Sequence, residues 1–183
     1  MACCLLEDKN IITWSKDCSL NWADFIAEIN TSAFEDSSSN IRYHHTWKVD
    51  SEMIGREVYF KIFDVQLTTE FLKHLSWVRT QNASPGLLNH EQGHFDLAES
   101  MRPLFVEQIN NKFKDSKFLT RGQNEEQRKQ FAREDSGKRI FKELERCLDI
   151  LSKNRKRYDE ETKFGQNFSK QKEYDEKFRT LRI

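Results

Sequence analysis

The run His90-Glu91-Gln92-Gly93-His94 places two imidazoles and a carboxylate at a spacing that suits metal chemistry. Each residue of a helix advances by about 100°, so His90 and His94 stand about 40° apart and can reach one ion. Glu91 projects within about 60° of His94, beside the position that a metal leaves open. Zinc lowers the pKa of a bound water toward about 7, and a neighbouring carboxylate can take its proton. The spacing predicts one zinc ion held by His90 and His94, with Glu91 as the catalytic base.

The residues around the motif predict that it lies on a helix. Ser84 is a suitable N-cap and Pro85 suits the first helical position, so we expect a helix from there to about Phe113, kinked at Pro103. Gly93 lies inside it, where glycine costs about 1 kcal/mol relative to alanine. That cost makes sense if another segment or a substrate approaches closely. A chance pair of surface histidines is the alternative, but the amphipathic surroundings favour a metal site.

A catalytic zinc ion needs a third protein ligand. Asp96 lies about 160° and Glu99 about 140° from His94 around a regular helix, which excludes both. His74 precedes the motif and stays open as a candidate. Downstream there is no histidine, so a ligand there must be a carboxylate or a tyrosine. The densest cluster is Tyr158, Asp159, Glu160 and Glu161. It can equally serve as charge compensation for the basic run at 153–157, so the third ligand stays open on the residues alone.

The remaining histidines lie on a predicted strand. Residues 41–49 alternate strictly between apolar and polar positions, which predicts a strand with one buried face. His45 falls on the apolar face, where a core or supporting role is the more ordinary expectation, and His44 points away from it.

Short strands and helices are predicted to surround the motif. Strands are predicted at 11–14, 41–49 and 58–65, the last two paired through a turn at Gly55. Helices are predicted from about Leu20 to Ile29 (capped by Ser19 or Asn21), from Thr68 or Thr69 to Trp77, at 124–152 and at 169–181; residues 35–40 are expected to form a loop. The predicted fold is therefore α+β, a small antiparallel sheet packed with helices. We expect one domain over 1–183, strand-rich over 11–66 and helical over 68–183.

Composition limits the classes of function. The 30 basic and 30 acidic residues cancel, which argues against a nucleic-acid binder that works by neutralising phosphates. Cys3, Cys4, Cys18 and Cys147 form no paired motif and are expected to be free. The apolar start ends at Glu7, too early for a signal peptide or a transmembrane segment, which favours the cytoplasm. Oligomeric state stays undetermined.

The sequence also resembles the bacterial domain-of-unknown-function family 922, whose members are described as predicted zinc-dependent proteases. The resemblance runs from about Trp14 to Phe178, and its most specific piece is the run HEQGHF with Ala98 and Glu99 behind it. Its other residues are Leu20-Asn21-Trp22-Ala23-Asp24-Phe25, Ser76-Trp77-Val78, Leu87-Leu88-Asn89, Tyr158-Asp159, Thr162, Gly165 and Gln171. It implies a zincin-like helix and a peptide or protein substrate. Members are often exported, which disagrees with the start of this chain.

One departure from the family bears on the third ligand. The resemblance implies a histidine before Gly165, where this chain has Phe164, and phenylalanine cannot bind zinc. Either a neighbour substitutes, with Asp159 the first choice and Glu161 next, or the site is weakened. We therefore expect a zinc-dependent hydrolase, a metallopeptidase with metal ligands His90, His94 and Asp159. The alternative is a zinc-binding or protein-interaction module that has lost turnover.

Overall fold

The computed structural model describes residues 9–183 and shows an α+β protein with a small antiparallel sheet and long helices. Within that range the strands are β1 (Ile11–Thr13), β2 (Ser37–Ser38), β3 (Ile41–Ile54), β4 (Glu57–Leu72), β5 (Trp77–Val78) and β6 (Phe118–Leu119). The helices are α1 (Pro85–Phe113), α2 (Glu125–Thr162) and α3 (Phe168–Arg179). Short 3₁₀ turns lie at Trp22–Asp24, Lys73–Leu75, Thr80–Asn82 and Thr180–Arg182. The predicted fold class is confirmed at this level.

Strand β4 is the centre of the main sheet, whose order is β1-β4-β3, with β6 also paired to β4. The predicted strands at 41–49 and 58–65 are confirmed, and both run further than their alternating pattern. Gly55 turns the chain between β3 and β4 with a φ of +65°, a conformation that glycine adopts without strain. A separate two-stranded sheet pairs Ser37 with Val78 and Ser38 with Trp77. The loop predicted at 35–40 therefore contains a short strand.

Two predicted helices are wrong. Around residues 20–29 only the turn Trp22–Asp24 forms, and the predicted cap Asn21 closes it by accepting from the Ala23 amide. Beyond it, the amides of Ile26 and Ala27 donate to carbonyls of the 73–76 segment, so they are not available for a helix. The second wrong prediction is the helix from Thr68 or Thr69 to Trp77. Leu72 and its neighbours instead pair with β1, so β4 extends to Leu72. Long-range pairing outweighed the local helical pattern in both places.

The three long helices agree better with their predictions. Helix α1 has the predicted bounds, and the Ser84 hydroxyl accepts from the Leu87 amide at 3.2 Å. Helix α2 continues to Thr162, ten residues beyond the predicted end, and so carries the whole acidic cluster as helix. Its apolar residues Ile140, Leu144 and Leu151 are buried, whereas Phe141 and Leu148 are 58% and 40% exposed. Among residues 9–183 no helix has the length and apolarity to cross a membrane.

The described residues form two compact units, and the single domain over 1–183 stays a prediction. One unit comprises residues 9–44 together with 68–101 and 154–183; the other comprises 45–67 and 102–153. The motif lies in the first unit. There Phe71 packs edge-on against Phe25 and tilted against Phe95, with ring centroids 5.1 and 5.9 Å apart. A second cluster of Leu97, Tyr158 and Phe178 packs behind the motif.

Candidate metal centre

The HExxH run lies in a buried part of α1, and its two histidines and its glutamate are close together. His90, Glu91 and His94 are 1%, 3% and 5% exposed. Their ligand atoms all lie within 4.8 Å of one another, and the two imidazole rings are 4.8 Å apart at 78°. The helix therefore presents the two imidazoles to one point, as the spacing predicts.

Asp159 reaches that same point from α2. Its Oδ1 lies 3.1 Å from Nε2 of His90 and 2.9 Å from Nε2 of His94, and its side chain is 24% exposed. Ligands bound at 2.0–2.2 Å around a tetrahedral zinc ion lie roughly 3.3–3.6 Å apart. A small outward movement of Asp159 would bring its contacts with both imidazoles into that range. Two imidazole nitrogens and one carboxylate oxygen are also a donor set that zinc accepts in catalytic sites.

Electrostatics favour the metal-binding protonation states of Asp159 and His94. Burial raises the pKa of Asp159, but its contacts with His90 and His94, which donate and carry positive charge when protonated, outweigh burial, so the pKa lies well below its usual range. Burial, with the positive charge of Arg155, lowers the pKa of His94. A carboxylate and a neutral imidazole are the forms that bind a metal. In addition, Nδ1 of His94 is buried without a hydrogen-bond partner among residues 9–183.

Tyr158 explains the glycine inside the motif. Its ring is fully buried and stacks on His90, with centroids 4.7 Å apart and 5° between the planes. Its hydroxyl lies 3.1 Å from the His90 carbonyl oxygen. A Cβ at position 93 would overlap that hydroxyl and lie 2.8 Å from Tyr158 Cζ. The predicted close approach at Gly93 is confirmed, and the approaching segment is α2.

The turn after α2 lies against the other side of His90. Gly165 has a φ of +80°, and a Cβ there would lie 2.9 Å from Cβ of His90. Phe164 also has a positive φ, of 54°, and its ring meets the His90 ring edge-on with centroids 6.4 Å apart. The aromatic ring thus occupies a place beside His90, while the nearest carboxylate to both imidazoles comes from Asp159 on α2, five residues earlier.

Glu91 is held by residues that the sequence did not single out. Ser37 donates to its Oε1 at 2.5 Å and Ser39 donates to its Oε2. Arg155 donates to the Ser39 carbonyl oxygen at 2.8 Å. Burial lowers the pKa of this half-buried guanidinium, and the charges of Glu91 and Asp159 raise it. Ser37 and Ser39 are two residues apart and so share one face of an extended segment, the one signal in a run expected to be a loop. Arg155 belongs to the basic run at 153–157, which the sequence alone did not connect with Glu91.

The other candidate ligands are engaged elsewhere. Asp96 accepts from Trp14 at 2.8 Å and pairs with Arg182 at 2.7 Å, and Glu99 accepts from Thr69 at 2.7 Å. These positions agree with the helix geometry that excluded both carboxylates.

Two further candidates also lie apart from the donor set. Glu161 pairs with Arg157 at 2.8 Å and accepts from Tyr174, which is charge compensation within the last turns of α2. His74 is exposed in a 3₁₀ turn. Of the open candidates, Asp159 is the one whose oxygen lies at hydrogen-bonding distance from both imidazoles.

The predicted free cysteines can be examined in part. Cys18 and Cys147 are free thiols, whereas Cys3 and Cys4 lie outside the described residues. Burial raises the pKa of Cys147 to about 11, which suits an inert structural thiol.

Comparison with known proteins does not assign the chain. No protein-family model matches it, and neither a curated protein nor a solved structure matches it significantly. The resemblance to family 922, and the activity that it implies, therefore stay predictions.

Proposed function

We propose that this protein is a zinc-dependent hydrolase with a zincin-like HExxH helix, and that it acts on peptides as a metallopeptidase. The observation that carries the proposal is the convergence of Nε2 of His90, Nε2 of His94 and Oδ1 of Asp159 on one point. Glu91 follows directly on the same helix and is buried beside them. Two metal ligands, a third from another helix and an adjacent carboxylate are the parts of a metal-assisted hydrolytic site.

Each side chain has a role that follows from its contacts. His90, His94 and Asp159 would hold the ion. Bound zinc would act as a Lewis acid and lower the pKa of a coordinated water. The Glu91 carboxylate is oriented by Ser37 and Ser39, one hydroxyl on each oxygen. Each carboxylate oxygen has a second lone pair, so Glu91 keeps the capacity to accept a proton from a nucleophile and return it to a leaving amine.

Two observations favour a second candidate, a zinc-binding module without turnover. Phe164 stands where the resemblance implies a ligand histidine, and its ring packs beside His90. Both oxygens of Glu91 also accept hydrogen bonds within the protein, so the carboxylate is less free than an exposed base. In this reading the donor set holds the same ion, and the polar surface of the long helices serves a protein partner.

Metal content and hydrolysis together separate the two candidates. Protein purified without added metal, and the same protein after zinc addition and desalting, is analysed for its metals; about one zinc per chain is expected. The Glu91→Gln variant should keep the zinc and lose at least about 100-fold in cleavage of a broad peptide library. Glu160→Gln changes an exposed glutamate of α2 and is the matched control. Absence of zinc in every preparation would sink both candidates, and wild-type cleavage no faster than that of the Glu91 variant would leave only the module.

A further inference from the structure

A chain of hydrogen bonds runs from α3 to His90, and its polarity is set at Asp175. The Asp175 carboxylate receives Asn89 Nδ2 on one oxygen at 2.9 Å and Gln171 Nε2 on the other at 2.8 Å. A carboxylate only accepts hydrogen bonds, so the NH₂ group of the Gln171 amide must face Asp175. Gln171 is 5% exposed, and the amide oxygen is therefore directed to the opposite, interior side.

That amide oxygen faces the ring of His90. Oε1 of Gln171 lies 3.3 Å from Nδ1 of His90. Oγ1 of Thr162 lies at the same distance from Nδ1, and Thr162 donates its own proton to the Tyr158 carbonyl oxygen at 2.6 Å. Both neighbours of Nδ1 thus accept hydrogen bonds, so this network favours a proton on Nδ1.

The Tyr158 hydroxyl does not disturb this assignment. It receives Gln171 Nε2 at 2.8 Å and has two acceptors for its one proton, Gln171 Oε1 and the His90 carbonyl oxygen, each at 3.1 Å. Either use of that proton leaves the amide in the orientation that Asp175 imposes.

The consequence appears at the other nitrogen. A neutral imidazole carries one proton, so Nε2 of His90 has a lone pair, and it lies 3.1 Å from the Asp159 carboxylate. Two acceptors facing each other at this distance repel, which a cation between them, either a proton or a metal ion, would relieve. His94 differs: its Nδ1 has no partner among the described residues, so its Nε2 can carry the proton and donate to Asp159 at 2.9 Å.

We infer that Asp175 and Gln171 are positioning residues that hold His90 as the Nδ1-protonated tautomer and so keep Nε2 available as a ligand atom. The use of that atom by zinc rests on the function proposed above. His90 is then the preorganised ligand, whereas His94 must change tautomer when it binds the ion. Partners of this kind orient a ligand histidine, and losing one typically weakens metal affinity about 10–100-fold.

The tautomer can be measured without any metal. Zinc-free protein labelled with ¹⁵N-histidine is studied by long-range ¹H–¹⁵N correlation at about pH 8, above the ordinary histidine pKa of about 6.5. We expect His90 to be protonated at Nδ1 and His94 at Nε2. Protonation of His90 at Nε2 with Nδ1 unprotonated in the wild type overturns the inference. Protonation at Nδ1 supports it even if zinc uptake fails, which would overturn only the proposed function.

Variants separate positioning from a merely structural role. Gln171→Met should shift His90 toward the Nε2-protonated form and weaken zinc binding about 10–100-fold; Gln130→Met, at an exposed glutamine of α2, is the matched control. The double variant Gln171→Glu with Asp175→Asn exchanges donor and acceptor between the two positions and keeps an oxygen facing Nδ1. It should restore the tautomer and the affinity. Failure of the double variant to restore either one, with the fold intact, contradicts the inference.

Discussion

Replacing Gly93 with alanine tests how closely α2 packs against the motif helix. An added methyl would overlap the Tyr158 hydroxyl and lie 2.8 Å from Cζ of the same ring. The ring is fully buried and stacked on His90, so it has no open space to move into. The substitution must therefore push α1 and α2 apart or turn the tyrosine out of its place.

The expected change in the free energy of unfolding combines opposing contributions. Alanine in place of glycine favours the helix by about 1 kcal/mol. Overpacking in a closed core costs about 1–3 kcal/mol. Displacing the Tyr158 hydroxyl also weakens its contacts with Gln171 and with the His90 carbonyl oxygen, each worth about 1 kcal/mol. The free energy of unfolding should fall by roughly 1–4 kcal/mol, and each kcal/mol lowers Tm by about 2–4 °C in a chain of this size.

A second glycine in a helix provides the matched control. Gly137 lies inside α2, and a Cβ there would meet two ring carbons of Trp47 at 3.6 and 3.7 Å, an ordinary contact. Gly137→Ala should therefore stabilise the protein by up to about 1 kcal/mol. Urea unfolding of zinc-free protein measures both variants. If Gly93→Ala proves as stable as the wild type, Tyr158 does not pack against the motif as described, and the reasoning fails.

Two further substitutions test the ligand assignment and the anchoring of the motif helix. Asp159→Ala should weaken zinc binding by more than about 100-fold, the largest loss typical of a residue that only orients a ligand. Competition with a chelator measures the affinity, and Glu160→Ala is the control that should keep it. Equal affinities of the two variants would remove Asp159 from the donor set. Asp96→Ala removes the buried carboxylate that pairs with Arg182. The free energy of unfolding should fall by about 2–4 kcal/mol, somewhat less than the cost of breaking a fully buried ion pair, because the Arg182 side chain is partly exposed. Asp149→Ala, at an exposed position, is the control, and urea unfolding measures the stability of both variants. If Asp96→Ala loses no more stability than this control, Asp96 does not anchor the motif helix.

Capping residues and alternating apolar residues correctly predicted the elements that local interactions determine. The cap at Ser84 and the proline after it located the start of α1, and its capping bond is present. The strict alternation over 41–49 located β3. The predicted helix at 20–29 had equally regular apolar spacing, yet Ile26 and Ile29 are 55% and 40% exposed. There the backbone amides are used by the distant 73–76 segment, a pairing that apolar spacing cannot reveal.

The residues of the candidate metal centre also fall into those that the sequence predicts and those that it does not. His90, Glu91 and His94 follow from helix geometry because they lie on one helix. Ser37 and Arg155 lie 54 and 64 positions away along the chain from Glu91, and only the folded chain brings them to it. Such residues carry no spacing that a sequence pattern could detect, and a serine-rich run is ordinarily a loop.

Phe164 and Asp159 together decide what kind of site this chain can build. A carboxylate ligand in place of a neutral imidazole adds one negative charge, which changes the electrostatics around a bound cation. Arg155 adds one positive charge that acts on Asp159, Glu91 and His94. The positive charge of Arg155 offsets the added negative charge of Asp159. This balance supports the proposal that Asp159 serves as the third ligand. Zinc binding should therefore survive the presence of Phe164, and whether Glu91 still turns over a substrate is what the Glu91→Gln comparison decides.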